Sequence, residues 1–218
     1  GEIVMRKTIV SIGLIAAMSI CFTACGGDTN APVSEEAAAT VAMTEPTTEM
    51  ATEETTTEAI EDTSSMGMGD YYEYLGAEND MIPYTISPLA KDFINENPDL
   101  FPCADKEIAE EYTDSSIDFK MINKNQDKYG DKLICISEAY VIGINETNFD
   151  DGSSLTEVQA TDLDGNYYYV IYNDVLDDIY QDDTVEIYGA PIGMTSFENV
   201  SGGTTISCVI AGSYVGKL

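Results

Sequence analysis

The sequence predicts an α+β, mainly β protein: a five-stranded Greek-key barrel preceded by short helices and placed behind a disordered tether. After residue 130, five segments rich in β-branched and aromatic residues are separated by turn residues. The segment before them has apolar residues at helical spacing. We assign residues 1–24 to a leader, 25–69 to a linker, 70–129 to a helical prefix and 130–218 to the barrel.

The N-terminal segment has the layout of a secretory signal. Arg6 and Lys7 are followed by an apolar run over residues 9–22, and a basic head before an apolar core is typical of such leaders. The run is shorter than the roughly 20 residues that a membrane-spanning helix needs. We expect residues 1–24 to be cleaved and Met5 to be the natural start. A transmembrane helix and an ordinary secretory signal are the alternatives.

Cys25 stands where a bacterial lipoprotein is lipidated. Thr23 and Ala24 precede it and Gly26 follows it, which resembles the lipobox of bacterial lipoproteins, although Phe22 replaces the usual leucine. In that family the cysteine thiol receives a covalent diacylglycerol before cleavage. Since two acyl chains hold a protein stably at a membrane, the resemblance implies an extracytoplasmic protein that is lipid-anchored to the bacterial cell membrane.

Residues 26–69 predict a disordered tether. Thr, Glu, Ala, Ser, Met and Pro dominate them, so few branched or aromatic side chains are available to offset the entropy cost of ordering the backbone. A flexible chain of about 44 residues spans about 35–40 Å on average. The tether would hold the folded domain at that distance from the membrane.

Short helices are predicted in the prefix, where we expect order to resume near Tyr71. Ser87 followed by Pro88 is typical of a helix N-cap and its first turn. Pro98 is expected to end that helix. Further helices are predicted over residues 105–112 and after the polar cluster at 113–116.

Five strands are predicted after Gly130, because Val, Ile and Tyr are enriched there. We expect a bend or bulge at Ser137-Glu138 and a two-residue hairpin turn at Asp164-Gly165. The polar segment 173–183 has room for one helical turn. The predicted strands cover residues 133–144, 155–161, 166–172, 184–188 and 204–215.

A long first strand and a connector between the third and fourth strands are what a small Greek-key barrel of the OB type requires. The segments at residues 119–133, 182–189 and 202–204 resemble OB-like domains of uncharacterised lipoproteins and membrane proteins of Gram-positive bacteria. Residues 87–102 resemble the helical prefix of such chains. Asp182 departs from the family, which usually has glycine there. The resemblance implies an OB-like fold over residues 87–218 and no settled activity.

Composition excludes several classes of function. The formal charge is −31 and no arginine follows Arg6, so we expect no nucleic-acid partner, since phosphates are neutralised by clustered cations. The chain has no histidine, which excludes Ser-His-Asp and Cys-His schemes and imidazole metal sites. Carboxylate chemistry is the enzyme class left open, and we expect a non-enzyme.

The third strand carries the candidate ligand-binding residues Tyr167, Tyr168, Tyr169 and Tyr172. OB barrels bind polymers across their second and third strands, often through aromatic side chains. Tyr167 and Tyr169 share one face of the strand, while Tyr168 and Tyr172 share the other. The outward tyrosines are either a ligand platform or strand-stabilising residues. Without nearby arginine, a glycan or peptide suits the platform better than nucleic acid.

Acidic clusters suggest weak calcium binding at Asp162 and Asp164, but we predict no dedicated metal site. An EF-hand loop needs glycine at its sixth position, and Gly165 falls at the fourth when the loop starts at Asp162. A hairpin turn explains Asp164-Gly165 without any metal.

Three cysteines remain once Cys21 leaves with the leader and Cys25 is lipidated, namely Cys103, Cys135 and Cys208. Exported proteins form disulfides, but this spacing defines no framework. The alternatives are buried free thiols and a Cys135–Cys208 bridge.

The leading hypothesis is a membrane-anchored extracytoplasmic lipoprotein with a non-catalytic module that binds an envelope protein, peptide or glycan. The alternatives are a carboxylate-dependent glycan hydrolase and a structural envelope component.

Overall fold

The computed structural model describes residues 66–199 and 202–218. The predicted leader, the lipidation site at Cys25 and the tether up to residue 65 lie outside the described residues. The described chain is a mainly β protein in which a few short helices precede a five-stranded sheet that closes on itself. This confirms the mainly β class and the short helices before five strands.

The helices are α1 (Met68–Glu78), α2 (Pro88–Glu96), α3 (Lys106–Glu111) and α4 (Phe119–Lys124), with 3₁₀ turns at Pro98–Leu100 and Gln126–Lys128. The predicted N-cap is confirmed, since the Ser87 hydroxyl accepts a hydrogen bond from the Ala90 N–H and Pro88 is the first helical residue. α1 begins at Met68 and therefore includes the last two residues that we assigned to the tether.

The strands are β1 (Ile134–Asn148), β2 (Ser154–Asp162), β3 (Tyr167–Tyr172), β4 (Thr184–Glu198) and β5 (Thr204–Lys217). They hydrogen-bond in the order β1-β2-β3-β5-β4, and β4 pairs again with β1. β3 and β5 run parallel, while all other neighbours are antiparallel. Each strand therefore has a partner on both sides over part of its length.

The pairing of β1 and β4 with their neighbours is irregular in register. The predicted bulge is confirmed, because the β1–β4 register shifts between Ile136 and Ala139. β4 runs on past its predicted end at Tyr188, because β5 pairs with it through the whole glycine- and proline-containing stretch. Pro191 lies beside a second register shift in that pair, the kind of position at which a strand tolerates proline.

The connector between β3 and β4 has turns and bends where we predicted room for a helical turn. It is fastened to β1 instead: the Asp182 N–H donates to the Val141 carbonyl and the Val141 N–H donates to the Asp183 carbonyl, each at 2.9 Å. Asp182 has a positive φ of 73°, which Asp and Asn tolerate better than most residues. Ile179 is buried in the same connector.

The hydrophobic residues form two clusters, one on each face of the sheet. The inner cluster takes side chains from all five strands and from Ile122 of α4. The outer cluster joins β3, β4 and β5 to the helical prefix, with Tyr72, Ile94 and Phe101 among its members. Both faces of β3, β4 and β5 are therefore buried wherever the prefix covers the sheet.

Candidate ligand-binding face

The strand registers place three residues in one row across the outer face of β1, β2 and β3. Tyr140 of β1 is opposite Thr161 of β2, which is opposite Tyr167 of β3. Directly opposed residues project to the same side of a sheet. We call Tyr140, Thr161 and Tyr167 the tyrosine row.

The tyrosine row is accessible. Tyr140 is 44% exposed and Tyr167 is 38% exposed, and two strand spacings separate them, about 10 Å. The Tyr140 hydroxyl donates to Asp182 Oδ1 at 2.6 Å. This hydrogen bond raises the pKa of Tyr140 and ties its ring to the β3–β4 connector. Two aromatic side chains thus stand on one exposed strip of sheet.

The next row along the strands has no side chain at its β1 end, so the sheet is uncovered there. It consists of Gly143, Gln159 and Tyr169. No atom outside its chain neighbours lies within 4 Å of the position that a Cβ on Gly143 would take. Beside the exposed tyrosines, the sheet therefore presents bare backbone and the half-buried amide of Gln159.

The prefix covers the same face at Tyr169 and Glu157, whose side chains are 2% and 6% exposed. The Tyr169 hydroxyl donates to Glu157 Oε1, and Asn145 Nδ2 donates to Glu157 Oε2 at 3.3 Å. Asn79, just after α1, donates to the Tyr169 hydroxyl at 3.4 Å. Burial, followed by the nearby Glu157 charge, raises the pKa of Tyr169. The prefix thus forms a wall at one end of the face.

Asp162 holds the β2–β3 turn beside the tyrosine row. Its Oδ1 accepts the N–H groups of Asp164 and Asn166 at 3.0 and 2.9 Å, and its Oδ2 accepts the Tyr168 hydroxyl at 2.9 Å and Asn166 Nδ2 at 2.8 Å. Asp162 and Asn166 also pair through their backbones. The loop therefore has three residues where we predicted two, with Gly165 at a φ of 80°, as in a hairpin closed by a glycine bulge.

The structure separates the four tyrosines that the sequence singled out. Tyr167 is exposed, Tyr172 is half-buried, and Tyr168 and Tyr169 are buried. They do not form one platform, because the inner face of β3 is core and the prefix covers most of its outer face. Tyr140 was missed, since its place in the row depends on a register that the β1 bulge shifts.

The metal prediction concerned Asp162 and Asp164. The carboxylate of Asp162 is engaged by the four donors of the turn. Within residues 66–199 and 202–218, no three acidic or cysteine side chains are grouped in a way that could hold a metal ion.

Cys135 and Cys208 are not bridged in the structure. Cys103, Cys135 and Cys208 are free thiols. Cys135 packs against the outer cluster and Cys208 lies in the inner one, so the sheet stands between them. Burial raises the pKa of both the Cys135 and the Cys208 thiols.

Comparisons with known proteins do not show a family for this chain. No protein-family model matches the sequence, and no curated protein matches it. One solved structure is similar: the solution NMR structure of the second OB-fold domain of replication protein A from Methanococcus maripaludis. It is 16% identical, its match covers 40% of this chain and 82% of that one, and the TM-score is 0.23. Among the helices described here, none is long and apolar enough to cross a membrane.

Proposed function

We propose that this protein is a bacterial lipoprotein, anchored outside the cytoplasm through a diacylglycerol on Cys25, whose folded domain is a non-catalytic binding module. The anchor is supported by the basic head, the apolar run and the small residues before Cys25. The partner is an envelope protein, peptide or glycan. Nucleic acid is not a partner, because the chain is strongly acidic.

We further propose that the module is of the OB type. The strand order β1-β2-β3-β5-β4 with a parallel β3–β5 pair supports this assignment, since an OB fold is a five-stranded Greek-key barrel. The helix that packs against the inner cluster here is α4, which precedes β1. The β3–β4 connector contributes Ile179 to that cluster.

The observation that carries the binding proposal is the tyrosine row. Exposed Tyr140 and Tyr167 stand on the outer face of β1–β3, and OB folds use the face of their second and third strands for polymer ligands. Aromatic rings recognise sugars, bases and side chains by stacking. The wall at Tyr169 limits the ligand to the end of the face near the β2–β3 turn.

Pull-down from the native envelope with immobilised protein tests this function. The wild-type chain is compared with the Tyr140→Ala/Tyr167→Ala double variant and with Tyr112→Ala, which removes a tyrosine that is 37% exposed directly after α3. The bound partner or glycan should be lost only with the double variant. Equal recovery with all three proteins would place the ligand elsewhere, and recovery of nothing above background would count against a binding module.

A further inference from the structure

The charges around the tyrosine row bear on the chemistry of its ligand. No lysine or arginine occurs in residues 134–183, which contain β1, β2, β3 and the connector that follows. The lysines of the described chain lie before residue 134 or at the end of β5. Lys217, at the end of β5, is already ion-paired with Asp183 of the connector at 2.8 Å, so an anionic ligand at the row would meet mainly carboxylates.

Carboxylates stand at both ends of the row. Asp182 accepts the Tyr140 hydroxyl, while Asp162 and exposed Asp164 belong to the turn that leads to Tyr167. Within the described part of the chain, none of these three aspartates forms an ion pair. Because the turn's four donors engage the Asp162 carboxylate, Asp164 and Asp182 are the two whose charges can attract a ligand.

We propose that the tyrosine row docks an extended peptide segment of a partner protein that carries lysine or arginine. This inference rests on the proposed function. A ring beside a carboxylate attracts an ammonium or guanidinium group by cation–π and Coulomb forces together. The two tyrosines stand about 10 Å apart, and a peptide extended in the polyproline II conformation, in which residues three positions apart lie on the same side, covers about 9 Å in three residues. The row fits two basic side chains about three positions apart.

Fluorescence anisotropy tests the inference on the chain from residue 25 onward with Cys25→Ser, which lacks the leader and the lipid. The probe is the labelled peptide Gly-Thr-Lys-Thr-Thr-Lys-Thr-Gly, and its control has glutamine in place of both lysines. The lysine peptide should bind at least about tenfold more tightly. Its affinity should fall as salt rises, because a shorter Debye length screens exposed charges.

Two matched double variants test whether the preference for the lysine peptide arises at the tyrosine row. Asp164→Asn with Asp182→Asn removes two charges, and asparagine tolerates the positive φ at position 182. The affinity for the lysine peptide should fall about tenfold. Asp92→Asn with Glu107→Gln removes two exposed charges from α2 and α3 and should change it less than about twofold. Circular dichroism melting checks that each variant is folded.

The outcomes separate this inference from the proposed function. Equal affinity for the lysine and glutamine peptides, or equal effects of the two variant pairs, overturns the basic-peptide inference. An uncharged N-acetylglucosamine oligomer is tested in parallel. If only this oligomer binds and Tyr140→Ala abolishes its binding, the tyrosine row remains a ligand site but not one for a basic peptide. If Tyr140→Ala with Tyr167→Ala changes the binding of neither probe, the ligand face itself is wrong.

Discussion

The hydroxyl of Tyr169 on β3 donates a hydrogen bond to the carboxylate of Glu157 on β2, and both side chains are buried. Asn145 supplies a second donor to that carboxylate. Glu157 has no ion-pair partner within the residues described. A buried carboxylate without a cation depends on hydrogen-bond donors to offset its loss of water. The Tyr169 hydroxyl therefore stabilises the junction between the sheet and the prefix.

Removing that hydroxyl should destabilise the protein. Tyr169→Phe should lower the free energy of unfolding in urea by about 1–3 kcal/mol, because Glu157 loses a donor while remaining buried. Tyr167→Phe, an exposed position on the same strand, should cost less than about 0.5 kcal/mol. Adding Glu157→Leu to Tyr169→Phe should recover part of the loss, since replacing both partners removes the unsatisfied group. Wild-type stability of Tyr169→Phe would show that the hydrogen bond contributes nothing.

Acid should weaken the β2–β3 hairpin through Asp162. Burial by itself would raise the pKa of Asp162, but the hydrogen bonds from Asn166, Tyr168 and the Asp164 N–H outweigh burial and lower it from the ordinary 3.8. The folded-state pKa is thus below the unfolded one. The resulting stabilisation is fully present above the unfolded pKa and is lost as the pH falls through the folded pKa.

The measurement is the urea midpoint between about pH 5 and about pH 2, across the window in which a depressed aspartate titrates. The midpoint should fall less steeply in Asp162→Asn than in the wild type. Asp164→Asn is the control, because the Asp164 carboxylate takes no part in the hydrogen bonds of the turn. A wild-type slope in Asp162→Asn would remove Asp162 from the acid response.

Gly130 should not tolerate alanine. A Cβ there would lie 2.6 Å from the backbone nitrogen of Ala90 and 2.8 Å from its Cα, so α2 would have to move. Thermal unfolding of Gly130→Ala should show a loss of about 1–3 kcal/mol. Gly143→Ala is the matched control, since its Cβ meets nothing within 4 Å, and it should be neutral or stabilising by up to about 1 kcal/mol. Similar losses at both positions would contradict the packing of Gly130 against α2.

The three thiols should differ in reactivity. Cys103 and Cys208 are buried, whereas Cys135 is partly exposed. Because thiolate is the reactive form, burial and the raised pKa of Cys208 should keep that thiol unreactive. In the chain from residue 25 with Cys25→Ser, a thiol reagent should modify Cys135 first and the other two only in denaturant. A disulfide between Cys135 and Cys208 after mild oxidation, found by mass spectrometry, would contradict their placement on opposite faces.

Local chemistry made several elements predictable. Ser87 and Pro88 specify a helix start within a few residues of chain, and the polar pair at 137–138 interrupts an apolar strand where the bulge lies. The pairing of strands that are distant in the chain was harder to predict. Nothing in the local pattern of residues 189–193 predicts a strand, and β4 continues there because β5 pairs with it.

From its residues alone, the chain's acidic and histidine-free composition and its five-strand pattern could be established, while the lipobox resemblance around Cys25 stays a prediction. The sequence alone could not establish which tyrosines are exposed. Alternation divides the residues of β3 between two faces but leaves open whether either face is covered. That outcome depends on α1 and the segment after it, which contact Tyr169 and Ile171 from about ninety to a hundred residues away in the chain. Tertiary packing therefore buried Tyr169 and left Tyr167 exposed, and the β1 register placed Tyr140 in its row.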